Sequence, residues 1–184
     1  MDYRHNDFHP LMDKVCTSLF EGEVWHGRSA NECRKIAVRG FGRWHDSEAE
    51  CDMKSRLCLE KLLRDRLGYA TSVDTSVAAK PAAYSINGAS GLKNHLEAWM
   101  RREEEFAETL SEAVRMAATV DICIYKELCC LAEEVQSEAM RVKMCGMRLD
   151  MAGWNGHDIG IVSMILHKHF EEHPHDKYVN VNIG

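Results

Sequence analysis

The sequence contains few of the residues that interrupt helices: among its 184 residues there are three prolines and twelve glycines. Proline breaks helices and glycine weakens them, so this scarcity favours long, uninterrupted helices. The chain is also long enough to bury one sizeable apolar core. We therefore expect a single helical domain over residues 1–184.

An excess of basic residues is missing as well. Lys and Arg number 23 against 29 Asp and Glu, which gives a formal net charge of −6, and no basic surface for nucleic acid is indicated. The longest strongly apolar segment, residues 159–166, is too short to cross a bilayer. The first residues are polar and lack the apolar core of a secretory signal. These absences predict a cytoplasmic protein that binds neither nucleic acid nor membrane.

The eight cysteines follow no metal-binding or disulfide pattern. The sequence has no CxxC pair followed by a second pair at the spacing of a zinc site. Most cysteines lie within helical patterns, in a chain that shows no secretory signal. Under those conditions we expect reduced thiols.

Apolar residues recur at steps of three and four along the first third of the chain, and this spacing predicts two helices. The first runs from about Asp7 and weakens at the glycines of residues 22–27. The second begins with a capping-box pattern at residues 29–32 and continues to about Leu67. The alternative is a break at residues 39–42, which lengthens the first helix and shortens the second.

A segment of small and turn-forming residues, 68–88, separates these helices from the rest of the chain. A connection of that length usually crosses a compact domain from end to end. The apolar spacing predicts two further long helices, one after Asn87 and one over residues 122–151, and a short one over residues 159–172. Residues 173–184 are expected to form an extended end at the surface.

Two joined helices, a long crossover and two more joined helices are the connectivity of a four-helix bundle with one crossover. Carboxylates interrupt the apolar faces of three of these helices: Glu48 and Asp52 in the second, Glu103 in the third and Glu134 in the fourth. A buried carboxylate needs a cation or hydrogen bonds to offset its lost hydration. Iron and manganese prefer such oxygen ligands, usually with imidazole. The pattern therefore predicts a metal site inside the bundle.

Several of these segments resemble the ferritin family. The stretch GFGRWHDSEAECDMKSRLCLEKLL, residues 40–63, is similar to the second ferritin helix, with two aromatic residues and a basic residue before an acidic run. SGLKNHLEAW resembles the start of the third helix, CCLAEEVQSEAMRVKMCGMRLDMAG the fourth and IVSMILHKHFEE the short fifth. The likeness covers about residues 36–172. It implies one ferritin-like, all-α domain over residues 1–184, a four-helix bundle with the crossover between helices 2 and 3 and a short C-terminal fifth helix.

The resemblance also implies where metal ligands fall in the second helix. The glutamate and the histidine of the ferritin Glu-x-x-His motif fall on Asp52 and Ser55, so the histidine is absent. His45 lies on the same side of the helix as Glu48 and Asp52, one turn earlier. It is a candidate for the missing imidazole, or else a histidine at the edge of the core.

In the other helices the resemblance places the ligands on Glu103 of the third and on Glu134, or a close neighbour, of the fourth. For the first helix Glu23 and Glu21 are the candidates, with Glu23 preferred. The full set of candidate metal ligands is Glu23, His45, Glu48, Asp52, Glu103 and Glu134.

These ligands imply a protein that binds and stores iron, as Fe²⁺ taken up and Fe³⁺ stored. Because Ser55 is a poor ligand for ferrous iron, any ferroxidase activity is expected to be weak. Ferritin-like chains pair along their first two helices and then form a closed shell, so a homo-oligomer is expected. In the second helix, the residues of mixed charge that could form such a contact are Arg39, Arg43, Asp46, Glu50, Lys54 and Arg64. Alternating signs are equally typical of a solvated face.

Two other functions remain open. One is a non-catalytic bundle subunit that has lost its metal chemistry. The other is a bundle that binds cuprous copper through cysteine and methionine, the sulfur ligands that this ion favours. A stripe of four methionines at helical spacing lies beside Cys145: Met140, Met144, Met147 and Met151. Methionine and reduced cysteine are also common in apolar cores, and we favour that interpretation.

Overall fold

The computed structural model describes residues 4–79 and 86–172, and over those ranges it contains helices and no strand. The long helices are α1 (Arg4–Lys35), α2 (Arg39–Leu67), α3 (Gly88–Ala117) and α4 (Ile122–Met151), followed by the shorter α5 (Gly156–Glu172). A 3₁₀ turn at Thr75–Ala79 lies in the connection between α2 and α3. The expected all-α fold, with four long helices and a short fifth, is confirmed. The extended end expected at residues 173–184 lies outside the described residues.

The break between α1 and α2 lies close to the alternative position, not at the glycines of residues 22–27. α1 continues through those glycines to Lys35, and the chain turns at residues 36–38. Ala37 has a φ of 62° there, and the N–H of Val38 donates to the carbonyl of Cys33 at 3.1 Å. α1 does not end at the glycines, because residues beyond them, Ala30 and Cys33, are buried in the core and their packing stabilises the helix.

The apolar core falls into two halves, one at each end of the bundle. One half contains the beginning of α1, the end of α2, the end of α3 and the beginning of α4. The other half contains the opposite ends of the same helices together with α5. Hence α1 and α4 run in one direction and α2 and α3 in the other. Since α2 and α3 are parallel, the chain must travel the length of the bundle between them.

The connection after α2 makes this crossing along the surface of α1. The C-terminus of α2 ends at Gly68, which has a left-handed φ of 63°. Successive contacts then join the connection to points further along α1: Tyr69 stacks on His9, the N–H of Ser72 donates to Asp13, that of Asp74 donates to Thr17, and Arg28 donates to the carbonyl of Ala78. The crossover expected from the sequence is therefore present.

Two glycines at the beginning of α2 allow other helices to approach it closely, one facing α5 and the other facing α1. A Cβ at Gly40 would lie 1.8 Å from the carbonyl oxygen of Ser163, so only glycine fits this contact. The N–H of Gly40 also donates to Ser163 Oγ at 3.0 Å. On the neighbouring face, Gly42 lies against α1, where an added Cβ would be 3.2 Å from the carbonyl of Ala30.

The four methionines of α4 do not fill the core, and that interpretation was wrong. Met140, Met144, Met147 and Met151 are between 47% and 89% exposed. The core face of α4 consists instead of residues such as Val135, Val142 and Leu149. The methionines follow the same helical period on another side of the helix.

Among the described helices, none combines the length and apolar character needed to cross a membrane.

Candidate metal centre

Between the two apolar halves, every helix of the bundle contributes polar side chains at the same height. α1 contributes His26, α2 contributes His45 and Glu48, α3 contributes His95 and Glu103, and α4 contributes Glu138, and all are buried. Asp52 of α2 and Arg102 of α3 are half-buried beside them. We call these eight residues the polar layer. Such a layer is costly inside a bundle unless its charges are compensated.

Two tryptophans hold two of the carboxylates. The indole N–H of Trp99 donates to Glu138 Oε1 at 2.7 Å, and that of Trp44 donates to Glu48 Oε1 at 3.0 Å. Arg141 Nη2 lies 3.4 Å from the same oxygen of Glu48. These contacts fix carboxylates of α4 and α2 in defined orientations toward the middle of the bundle.

Arg102 supplies a positive charge within the layer. It donates to Glu103, lies 3.6 Å from Asp52 Oδ2, and donates to the carbonyl of Ser18 at 3.2 Å. Its guanidinium is also 6.0 Å from the ring centroid of Trp25, within the range of a cation–π contact. Arg102 therefore connects α3 with α1 and α2.

The three histidines form a hydrogen-bonded chain across α1, α2 and α3. His26 Nδ1 and His45 Nδ1 are 2.9 Å apart, and His45 Nε2 and His95 Nε2 are 2.7 Å apart. The other nitrogen of His26, Nε2, faces the carboxylates, 3.8 Å from Glu138 and 4.0 Å from Glu103. Trp99 stacks on His45 and Trp25 stacks on His95, and these contacts fix the orientation of the two imidazole rings.

Burial sets the protonation of the layer. It lowers the pKa of His26 and of His45 well below the ordinary value, and that of His95 to about 4. It raises the pKa of Glu138 and of Asp52 well above their ordinary values, with the neighbouring carboxylates adding to the rise. The histidines are therefore neutral at physiological pH, and burial favours the protonated forms of Glu138 and Asp52 unless a cation replaces the proton.

The backbone of the bundle matches solved ferritins. It superimposes with a TM-score of 0.74 on an open-pore ferritin from the hyperthermophilic archaeon Archaeoglobus fulgidus, with 14% identity, over 88% of this chain and 94% of that one. A closed form of the Archaeoglobus fulgidus ferritin, engineered by site-directed mutagenesis, matches with the same values. The fold is ferritin-like. No family model matches the sequence, and no curated protein matches it either.

Within this ferritin-like bundle, four of the six candidate ligands lie in the polar layer: His45, Glu48, Asp52 and Glu103. The other two lie outside it. Glu23 pairs with Arg56, whose Nη2 is 3.2 Å from Glu23 Oε2. Glu134 is half-buried in the wall of an open cleft of about 810 Å³ between α2 and α4. Ser55 also lines this cleft, as do Glu48, Asp52 and Glu138 of the layer.

Sequence reasoning missed four members of the layer: Arg102 and the possible ligands His26, His95 and Glu138. The signal for Glu138 was present, because it lies three residues after Val135 and four before Val142 on the core face of α4. His95 likewise lies between Leu92 and Trp99 on the core face of α3. His26 was missed because it lies beside the glycines of residues 22–27, one of the two positions that the sequence left open for the break between α1 and α2.

Proposed function

We propose that this ferritin-like chain binds ferrous iron in the polar layer. The observation that supports this most strongly is the charge of the layer. Four carboxylates, those of Glu48, Asp52, Glu103 and Glu138, face two guanidiniums, those of Arg102 and Arg141. When all four carboxylates are ionised, two negative charges remain, and a buried divalent cation that displaces the protons would compensate them directly. The Oδ2 atom of Asp52 is buried and accepts no hydrogen bond from the described residues.

His26, Glu103 and Glu138 are the residues best placed to hold the ion. One ligand atom of each lies within 4.8 Å of the others, and all three side chains are buried. Carboxylate oxygen with neutral imidazole is a donor set that suits ferrous iron. The chain His26–His45–His95 supports this role, because a histidine that binds a metal through one nitrogen usually donates a hydrogen bond from the other.

Arg102 makes a complete two-iron centre less favourable. Its guanidinium already pairs with Glu103 and Asp52, so part of the negative charge that would attract a second ion is compensated by the protein. Ser55 in place of a histidine acts in the same direction. We therefore propose iron binding with slow oxidation, in a chain that assembles into a homo-oligomer for storage.

Two matched substitutions in α4 test this proposal. Glu138→Gln removes a carboxylate of the polar layer, whereas Glu134→Gln removes one that lies a single turn away and outside the layer. Under anaerobic conditions, calorimetric titration with ferrous iron should show at least a tenfold loss of affinity for Glu138→Gln and little change for Glu134→Gln. Equal affinities in both variants and the parent would contradict an iron site in the layer. The reverse order would place the site at Glu134, outside the layer.

The rival is a bundle whose polar layer needs no metal. The ion pairs of Arg102 and the raised pKa values of Glu138 and Asp52 favour it, because protons can compensate the remaining carboxylates. The two functions differ in one measurement. If the layer binds iron, ferrous iron should raise the melting temperature of the protein. If the layer needs no metal, ferrous iron should leave the melting temperature unchanged.

A further inference from the structure

A second group of buried ligands lies on the far side of the histidine chain from the carboxylates. Cys33 of α1, His45 of α2 and His95 of α3 each offer one ligand atom within 4.8 Å of the other two. All three side chains are inaccessible to solvent. Each comes from a different helix, so the group is assembled only by the folded bundle.

Stacked tryptophan rings hold the two histidines of this group in place. Trp99 stacks on His45 with ring centroids 4.1 Å apart, and Trp25 stacks on His95 at 5.0 Å. Cys33 belongs to the apolar half of the core that also contains Phe41. The Nε2 atoms of His45 and His95 are 2.7 Å apart, so one of them donates a hydrogen bond to the other.

We propose that Cys33, His45 and His95 form a binding site for a cuprous ion. On binding, the Cys33 thiol releases its proton to solvent and its sulfur bonds to the ion. The hydrogen bond between His45 and His95 opens, and each neutral imidazole donates the lone pair of one nitrogen and keeps its proton on the other. No change of oxidation state is involved. This proposal does not rest on the iron site, but occupancy of the two sites is coupled, because each requires different proton positions in the shared histidine chain.

The charge of the site decides between copper and zinc. A thiolate and a cuprous ion cancel, so the occupied site is neutral, as an apolar and solvent-free pocket requires. A zinc ion would leave one positive charge uncompensated, close to the positive charge of Arg102. Zinc also prefers a fourth ligand. Thiolate with imidazole suits the softer cuprous ion, and three ligands form a trigonal site.

The test uses the full chain with its five less buried cysteines changed to serine, namely Cys51, Cys58, Cys123, Cys129 and Cys130. Cys16, Cys33 and Cys145 remain, all buried. Cuprous ion is titrated anaerobically against a coloured cuprous chelator. One equivalent per chain should be withheld from the chelator. Cys33→Ala should lose at least a hundredfold in affinity, whereas Cys16→Ala, a change at an equally buried thiol of the same helix, should retain it.

Two further measurements keep the result unambiguous. X-ray absorption at the copper edge should show one sulfur and two nitrogens around the ion, and circular dichroism checks that each variant is folded. Glu138→Gln should keep the copper affinity, which separates this site from the iron site. Equal binding by the two alanine variants would overturn the proposal. So would sulfur-only coordination, or binding lost in Met144→Leu, which would assign the copper to the exposed methionines.

Discussion

Gly22 faces the ion pair between Arg102 and Asp52 and leaves room for it. A Cβ at this position would lie 1.9 Å from Asp52 Oδ2 and 2.0 Å from Arg102 Nη2. Both atoms are ends of flexible side chains, so an added methyl group would move the charges apart rather than break the helix. A glycine that weakens the helical pattern of α1 thus leaves room for one ion pair of the polar layer.

We expect Gly22→Ala to destabilise the protein by roughly 1–3 kcal/mol, because it separates a charge pair that is largely removed from water. Gly27→Ala is the control, since nothing lies within 4 Å of a Cβ added there. That change should stabilise α1 by about 0.5–1 kcal/mol. Urea unfolding of both variants measures the difference. Stabilisation by both alanines would show that the Arg102–Asp52 contact contributes nothing.

The pH dependence of stability should reveal the protonated carboxylate at Glu138. Burial, with the charges of Glu48 and Glu103, raises the pKa of Glu138 well above its ordinary value of 4.5. The stability that follows from this raised pKa is fully present below pH 4.5 and is lost as the pH rises toward the folded pKa. Glutamine resembles the protonated form, so Glu138→Gln escapes that loss.

Unfolding of the metal-free parent and Glu138→Gln, measured at pH 5 and pH 8 with a chelator present, tests this sign. Between pH 5 and pH 8, the free energy of unfolding of the variant should rise relative to that of the parent by on the order of 1 kcal/mol or more. The lowered pKa values of His26 and His45 act in the opposite direction below pH 6.5, but they are present in both proteins. A difference that does not change with pH would contradict a raised pKa at Glu138.

At the scale of the helices, Gly40 controls the docking of α5. An alanine there would place its Cβ 1.8 Å from a backbone oxygen, which cannot move without shifting α5 as a whole. We expect Gly40→Ala to cost roughly 3 kcal/mol or to detach α5. Gly160→Ala is the control within α5, where the added Cβ meets no atom within 4 Å.

Limited proteolysis and thermal unfolding distinguish the two outcomes for Gly40→Ala. Detachment of α5 would appear as cleavage near residues 152–156 before global unfolding, while Gly160→Ala should resist cleavage like the parent. An unchanged melting temperature in Gly40→Ala would mean that the close contact between α2 and α5 does not exist in solution.

The helices were predictable where apolar spacing and end signals agreed. α4 was expected at residues 122–151 and is found there, because Asp121 caps its beginning through the N–H groups of Cys123 and Ile124. The break between α1 and α2 was ambiguous, because local glycine propensity pointed to residues 22–27. Tertiary packing of the residues that follow overrode that propensity.

The candidate site was predictable only in part, for a related reason. Periodicity reports which face of a helix is buried, and it placed Glu48 and Glu103 correctly on buried faces. It does not report the relative heights of helices that are far apart in sequence. The apolar spacing of α4 and the family resemblance both pointed to Glu134, whereas the carboxylate of α4 at the height of Glu103 is Glu138, one turn later.

At the scale of the whole molecule, the polar layer divides one bundle into two apolar cores. Each core contains ends of all four long helices, so neither can form from one helical hairpin alone. The layer is where the hairpins α1–α2 and α3–α4 must meet in register, because Arg102 pairs with Asp52 and His45 with His95 across them. Its ionic contacts thus favour one alignment of the hairpins.

Self-association is the remaining prediction at this scale. The expected charged face of α2 contains an apolar residue, Leu57, which is 50% exposed. Some of its charges are paired within the chain, Glu50 with Lys54 on α2 and Asp46 with Arg34 of α1. A face of this kind can pair with a second copy by burying the leucine. In a dimer with two-fold symmetry the same residues of both copies form the interface, so one substitution places a charge on each side of it.

Light scattering after size exclusion should therefore give the parent a mass of at least two chains, and Leu57→Glu should reduce it to one. Met147→Glu places the same charge on the exposed face of α4 and serves as the matched control. It should leave the mass unchanged. If Met147→Glu dissociates the protein and Leu57→Glu does not, the copies meet through α4 instead. A monomeric parent would remove storage in a shell from the proposed function and leave iron binding by a single bundle.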